Sequence, residues 1–140
     1  MASRDVAFLD AFEQRFLRGQ PQQEPVLKVF AEAILSLCDQ YDTLAANAIL
    51  TATLEFINSS RMEHAIESAA LIQDAGSFPW YLRDQTGIGK AYAFMLFPKS
   101  KKLASTDFMQ ALSDMNYWIS ATNDLLSYVS VLLSTGERSC

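Results

Sequence analysis

The chain has 140 residues, room for one domain, since domains commonly run to about 100–200 residues. Half of it is apolar and 19% is charged, with only five glycines and four prolines, which excludes disordered, collagenous and disulfide-stapled classes and favours long helices. Sixteen acidic against eleven basic residues leave a formal charge of −5 and a pI near 4.7, which argues against binding nucleic acid.

Val6, Leu9, Phe12 and Phe16 recur at helical spacing and predict a first helix over residues 5–18, stopped by Gly19. Pro25 is placed to open a second helix over residues 26–41, with Val26, Phe30, Ala33, Ile34 and Leu37 as its inward face. Asp42 suits the N-cap of a third helix to about residue 67, buried through Ala46, Ile49, Leu50, Thr53, Leu54 and Ile57. Asn58-Ser59-Ser60 is expected to weaken its middle, because these side chains compete for backbone hydrogen bonds. A loop over residues 73–77 leads to a fourth helix, residues 79–97, interrupted at Gly87 and Gly89 and ended by Pro98. Thr106 is expected to cap the last helix, residues 107–134, whose stripe is Phe108, Leu112, Met115, Ile119, Leu126, Val129 and Leu133. No segment alternates with period two, so the prediction is an all-α single domain of about five helices.

Several features read as ordinary. Lys99, Lys101 and Lys102 beside Pro98 suggest a solvated loop. Cys38 in a helical pattern and Cys140 at the end suggest reduced thiols. The single histidine, His64, lies between Glu63 and Glu67 and makes neither a zinc site nor a nucleophile–base pair. The first ten residues carry Arg4, Asp5 and Asp10 and no apolar core of a signal peptide. The apolar run 91–97 is far short of the roughly 20 residues a membrane span needs, so a cytoplasmic protein without a membrane span is expected.

Two features are not ordinary. Asn116, Ser120, Asn123 and Ser127 follow at four, three and four residues and share one face of the last helix. Flanked by Trp118, Ile119, Leu125 and Leu126, this polar line could bond another helix, line a wet cavity or hold a cation through oxygens. The second feature is Arg83-Asp84-Gln85-Thr86-Gly87-Ile88-Gly89, a break inside a helical segment that would leave free carbonyls or N–H groups beside an arginine. It lacks the strand–turn–helix setting of a dinucleotide or P-loop site.

Trp80-Tyr81-Leu82-Arg83-Asp84-Gln85-Thr86-Gly87-Ile88-Gly89, then Leu96-Phe97-Pro98-Lys99, then Asn123-Asp124-Leu125-Leu126-Ser127, resemble the trichodiene synthase type of fungal class I terpene cyclase. The resemblance implies a partial class I terpene synthase bundle and the Mg²⁺-dependent ionisation of a prenyl diphosphate such as farnesyl diphosphate. It implies that Asn123 and Ser127 are metal ligands, since hard Mg²⁺ takes oxygen donors. Arg83 then falls at the arginine that senses the diphosphate, Gly87 at the helix-break residue and Thr86 at the linker before it. Tyr92, Phe94 and Trp118 are candidates to line the carbocation pocket, although an ordinary core role is the preferred reading for all three.

The pattern also departs from that family. The third metal ligand should be acidic and is Val131, preceded by Ser130, and no aspartate-rich motif stands near Asp5 and Asp10. The expectation is therefore a truncated member, from a gene-model or splicing error near residue 130, without turnover of its own and with no assignable catalytic residue. Helices cut from a larger bundle should leave apolar faces that favour poor solubility, a homo-oligomer or a hetero-oligomer. The alternative functional readings are a non-catalytic helical protein that pairs with a full-length relative, separable by co-purification, and an unrelated helical bundle.

Overall fold

Helix ends in this chain follow local chemistry. The computed structural model describes residues 9, 11–67, 72, 74–86 and 88–136, with the side chains of residues 67, 88 and 132–136 outside the description. Helix α1 is Phe12–Leu17, so Val6 and most of the predicted first turns lie outside the described residues. Gly19 takes φ of 63°, the left-handed value that turns the chain out of α1, and its N–H donates to the Phe16 carbonyl. Pro25 opens α2, Pro25–Leu35, and Ser36 joins it to a single turn, α3, Leu37–Gln40.

Helix α4 is Thr43–Glu67. One Asp42 carboxylate oxygen accepts the Ala45 N–H at 2.8 Å, the predicted cap, and the other accepts the Ser105 hydroxyl at 2.8 Å. The Ala45 bond, then the Ser105 bond, hold this carboxyl below its ordinary value of 3.8. Asn58-Ser59-Ser60 does not interrupt α4. The Ser59 and Ser60 hydroxyls both donate to the Phe56 carbonyl, at 2.8 and 3.0 Å, so a fully buried Ser59 remains satisfied.

The predicted fourth helix is two: α5, Phe78–Gln85, and α6, Ile88–Met95. After Pro98 come a 3₁₀ turn (Lys99–Lys101), a short α7 (Ser105–Phe108), a second 3₁₀ turn (Met109–Ala111) and α8, Leu112–Gly136. Thr106 is not the cap. The chain enters α7 through extended Ala104, and Asp107 reaches back to accept the Ala104 N–H at 2.9 Å. Lys99 is less free than a solvated loop suggests, since its ammonium donates to the Cys38 carbonyl at 2.7 Å. Cys38 itself is an exposed free thiol.

Two apolar clusters hold the bundle. Phe12, Leu27, Ile34 and Ile57 form the first, with Leu9, Phe16, Phe30, Leu50 and Leu54 around them. The Phe12 ring lies 5.4 Å from Phe30 and 5.8 Å from Phe16. The inward face of α2 is thus shifted from the predicted one: Leu27 is buried and Val26 is 70% exposed. One residue is about 100° around a helix, and the α1–α4 side meets Leu27, Phe30, Ala31 and Ile34.

Ile49, Ala52 and Ala91 form the second cluster, with Leu37, Tyr41, Phe94 and Met95 packed on it. Helix α6 lies between α4 and α8 and is the middle layer of this half. The predicted stripe of α8 holds only for its first part. Phe108 is buried and Leu112, Met115 and Ile119 are half-buried, but Leu126 and Val129 face solvent beside Leu125, Tyr128 and Val131. Leu133 carries no described side chain. Among the described residues no helix is long and apolar enough to cross a membrane.

Candidate functional site

The break between α5 and α6 faces α8. At the end of α5 the Thr86 N–H donates to the Leu82 carbonyl, and the Thr86 hydroxyl donates to the Arg83 carbonyl at 2.6 Å. These bonds close the end of α5. Gly87 lies outside the described residues. Gly89, in the first turn of α6, explains how closely α6 approaches α8. A β-carbon there would collide with the Asn116 amide oxygen, and would stand 2.7 Å from the Ser120 hydroxyl and 2.9 Å from the Asn116 carbonyl. The first two residues of the polar line are therefore a helix-packing surface.

Arg83 crosses the same interface. Its Nε and Nη2 bond both carboxylate oxygens of Asp124, at 2.9 and 2.8 Å. Nη1 donates to the Thr86 hydroxyl at 2.9 Å and Nη2 to the Ser120 carbonyl at 3.0 Å. On the other side of the break Lys90 bonds Asp84 at 2.9 Å and Glu55 at 3.3 Å, joining α6 to α5 and to α4. Burial works against the Lys90 charge, but Asp84 and Glu55 outweigh it and hold the ammonium above its ordinary value of 10.5.

A cavity of about 440 Å³ opens beside Arg83, lined by Phe56 and Glu63 of α4, Arg83 and Thr86 of α5, Tyr92 of α6, and Asn123 and Asp124 of α8. An apolar groove of about 750 Å³ lies between α6 and α8, lined by Tyr92, Met95, Leu96, Met115, Trp118 and Ile119, with Asp114 also on its wall. Tyr92 borders both spaces. The arrangement can hold an amphiphile whose anionic head meets the guanidinium and whose apolar tail lies along the groove.

The predicted site residues are therefore distributed unevenly. Arg83, Thr86 and Asn123 come to one cavity, and Tyr92 and Trp118 share the groove. Phe94 instead packs on the Ile49–Ala52–Ala91 cluster. Ser127, one turn beyond Asn123, is exposed and does not line the cavity. Sequence reasoning gave no role to Asp124, Glu63 or Phe56. Asp124 carried a signal, four residues after Ser120 and next to Asn123, but the motif drew attention to its neighbours.

The comparisons with known proteins decide the family. The model of the family described as Trichodiene synthase (TRI5) matches residues 3–134. The chain belongs to the trichodiene synthase family. Terpene synthase BipA of Cochliobolus sativus is 32% identical over 122 residues, covering 86% of this chain and 38% of that protein. Longiborneol synthase CLM1 of Gibberella zeae is 32% identical over 126 residues, covering 84% and 36%. (E)-beta farnesene synthase of Metarhizium brunneum is 27% identical over 134 residues, covering 93% and 40%. The chain thus spans about two fifths of the length of the curated relatives it matches.

Members of the trichodiene synthase family use Mg²⁺, but the donors around Arg83 do not fit a divalent cation. The cavity offers the Asn123 amide and the Glu63 carboxylate, Ser127 lies outside it, position 131 is valine, and the Asp124 carboxylate is engaged with Arg83. Among the described residues no three acidic, histidine or cysteine side chains come together as a ligand group.

Proposed function

We propose that this chain binds a prenyl diphosphate such as farnesyl diphosphate as a sesquiterpene synthase does, and that by itself it does not turn the substrate over. The observation that carries the reading is that Tyr92 lines both the cavity of Arg83 and an apolar groove. The diphosphate would take its hydrogen bonds from Arg83, with Thr86 holding the guanidinium in place and Asn123 offering an amide across the cavity. The prenyl chain would lie against Met95, Leu96, Met115 and Ile119, with the Tyr92 and Trp118 faces available to a developing cation. The reading of no turnover rests on the donor set, which gives the leaving diphosphate the Arg83 guanidinium but no metal cluster to share its charge.

Calorimetric titration of farnesyl diphosphate and of inorganic diphosphate into the full chain tests this. Arg83→Met is expected to weaken both ligands by about tenfold or more, the worth of hydrogen bonds to a charged group. Trp118→Ala is expected to weaken farnesyl diphosphate alone. Equal affinity of Arg83→Met and the parent for farnesyl diphosphate would overturn the binding reading. Mg²⁺-dependent terpene products in gas chromatography would overturn the lack of turnover.

A further inference from the structure

Arg83 lies between two spaces. On one side is the cavity shared with Glu63 and Asn123; on the other is a smaller one of about 260 Å³ bordered by Trp80, Tyr117 and Asn116. Arg83 and Asp124 line both. A guanidinium has five N–H donors, and four are directed at protein acceptors: two at Asp124, one at Thr86 and one at Ser120. One donor remains. An incoming anion that needs two parallel bonds from this arginine must take them from Asp124, because the other acceptors are a backbone carbonyl and a hydroxyl fixed in the α5 turn.

The two partners are held unequally. The Arg83 side chain is 27% exposed and is anchored from the interior by Thr86 and Ser120. The Asp124 side chain is 57% exposed. A χ1 rotation of Asp124 in mid-helix carries its carboxylate toward water with no backbone movement, whereas moving Arg83 would break two further bonds.

We infer that Asp124 is the internal counter-anion a diphosphate displaces from Arg83, a positioning residue that keeps the empty guanidinium aimed at the cavity and lowers the affinity of the site. This rests on the reading of Arg83 as the diphosphate-binding group. While the site is empty, Asp124 satisfies and orients the arginine. When a diphosphate enters, its oxygens take the Nε and Nη2 bonds, and Asp124 turns out to solvent.

The test is titration of inorganic diphosphate, without metal, into the full chain and three variants. Asp124→Asn is expected to bind about three- to tenfold more tightly, since the competing ion pair is strong in geometry but half in solvent. Glu63→Gln removes a carboxylate from the same cavity that does not pair with Arg83, and is expected to gain less than half as much. Arg83→Met is expected to lose binding. If Arg83→Met binds as the parent does, the diphosphate reading itself fails and takes this inference with it. If Arg83→Met loses binding and Asp124→Asn gains no more than Glu63→Gln, the inference fails alone. Should Asp124→Asn not fold by circular dichroism, the parent chain still decides. Its Arg83 Nε–H resonance is expected to shift as diphosphate is added, and a resonance unmoved at saturation overturns the exchange of partners.

Discussion

Replacing Gly89 by alanine should destabilise the bundle, although the same change in an open helix stabilises it. Removing glycine from a helix is worth about 0.5–1 kcal/mol. Against this, the new β-carbon would meet the Asn116 amide oxygen, stand 2.7 Å from the Ser120 hydroxyl and stand 2.9 Å from the Asn116 carbonyl. The two side chains can rotate away, but the carbonyl belongs to α8 and cannot. Relief requires α6 and α8 to separate by roughly 0.5 Å, a strain of about 1–3 kcal/mol in packed interfaces. The net expectation is a loss of about 1 kcal/mol, or roughly 3–5 °C in melting temperature for a chain of this size. Gly76 has nothing within 4 Å of its own added β-carbon, so Gly76→Ala is the matched control and should change little. Urea unfolding followed by circular dichroism measures both. A Gly89→Ala variant as stable as the parent, or more so, would refute the close approach of α6 and α8, and with it the width of the Tyr92–Trp118 groove.

Two further outcomes concern charge. Asp42→Ala is expected to cost about 1–2 kcal/mol, because the carboxylate caps α4 and bonds Ser105. Its pKa is lowered in the fold, so that stabilisation is full above the ordinary 3.8 and is lost as pH falls through the lowered value; the gap between parent and variant in denaturant titrations should narrow as pH falls below 3.8. Lys90→Met is expected to cost about 0.5–1 kcal/mol, discounted because the side chain is one-third exposed. Since its pKa is raised, the contribution is complete below 10.5 and fades at higher pH. It should also shrink between about 0.05 and about 1 M salt in melting experiments, and a salt-independent difference would argue for lost packing instead.

Part of the candidate site was legible as local pattern. Arg83, Thr86 and Asn123 were named through the family resemblance, whereas the break near Gly87 was named from order alone and does separate α5 from α6. Asp124 was not, because its pairing with Arg83 spans 41 residues and requires the two helices to face each other. Phe94, Tyr92 and Trp118 read alike as helical aromatics, and only packing separates them: Phe94 joins the core, while Tyr92 and Trp118 border the groove.

By itself the sequence determined the helices and their punctuation: Gly19, Pro25, Asp42 and Pro98 act on their own few residues, where propensity and capping decide without distant help. It also carried the motifs that identify the family. Tertiary structure alone decided which face of each helix is inside, as the one-residue shift from Val26 to Leu27 shows, and which groups meet across helices. Those outcomes depend on where neighbouring helices lie, a sum of many weak contacts that no local window contains.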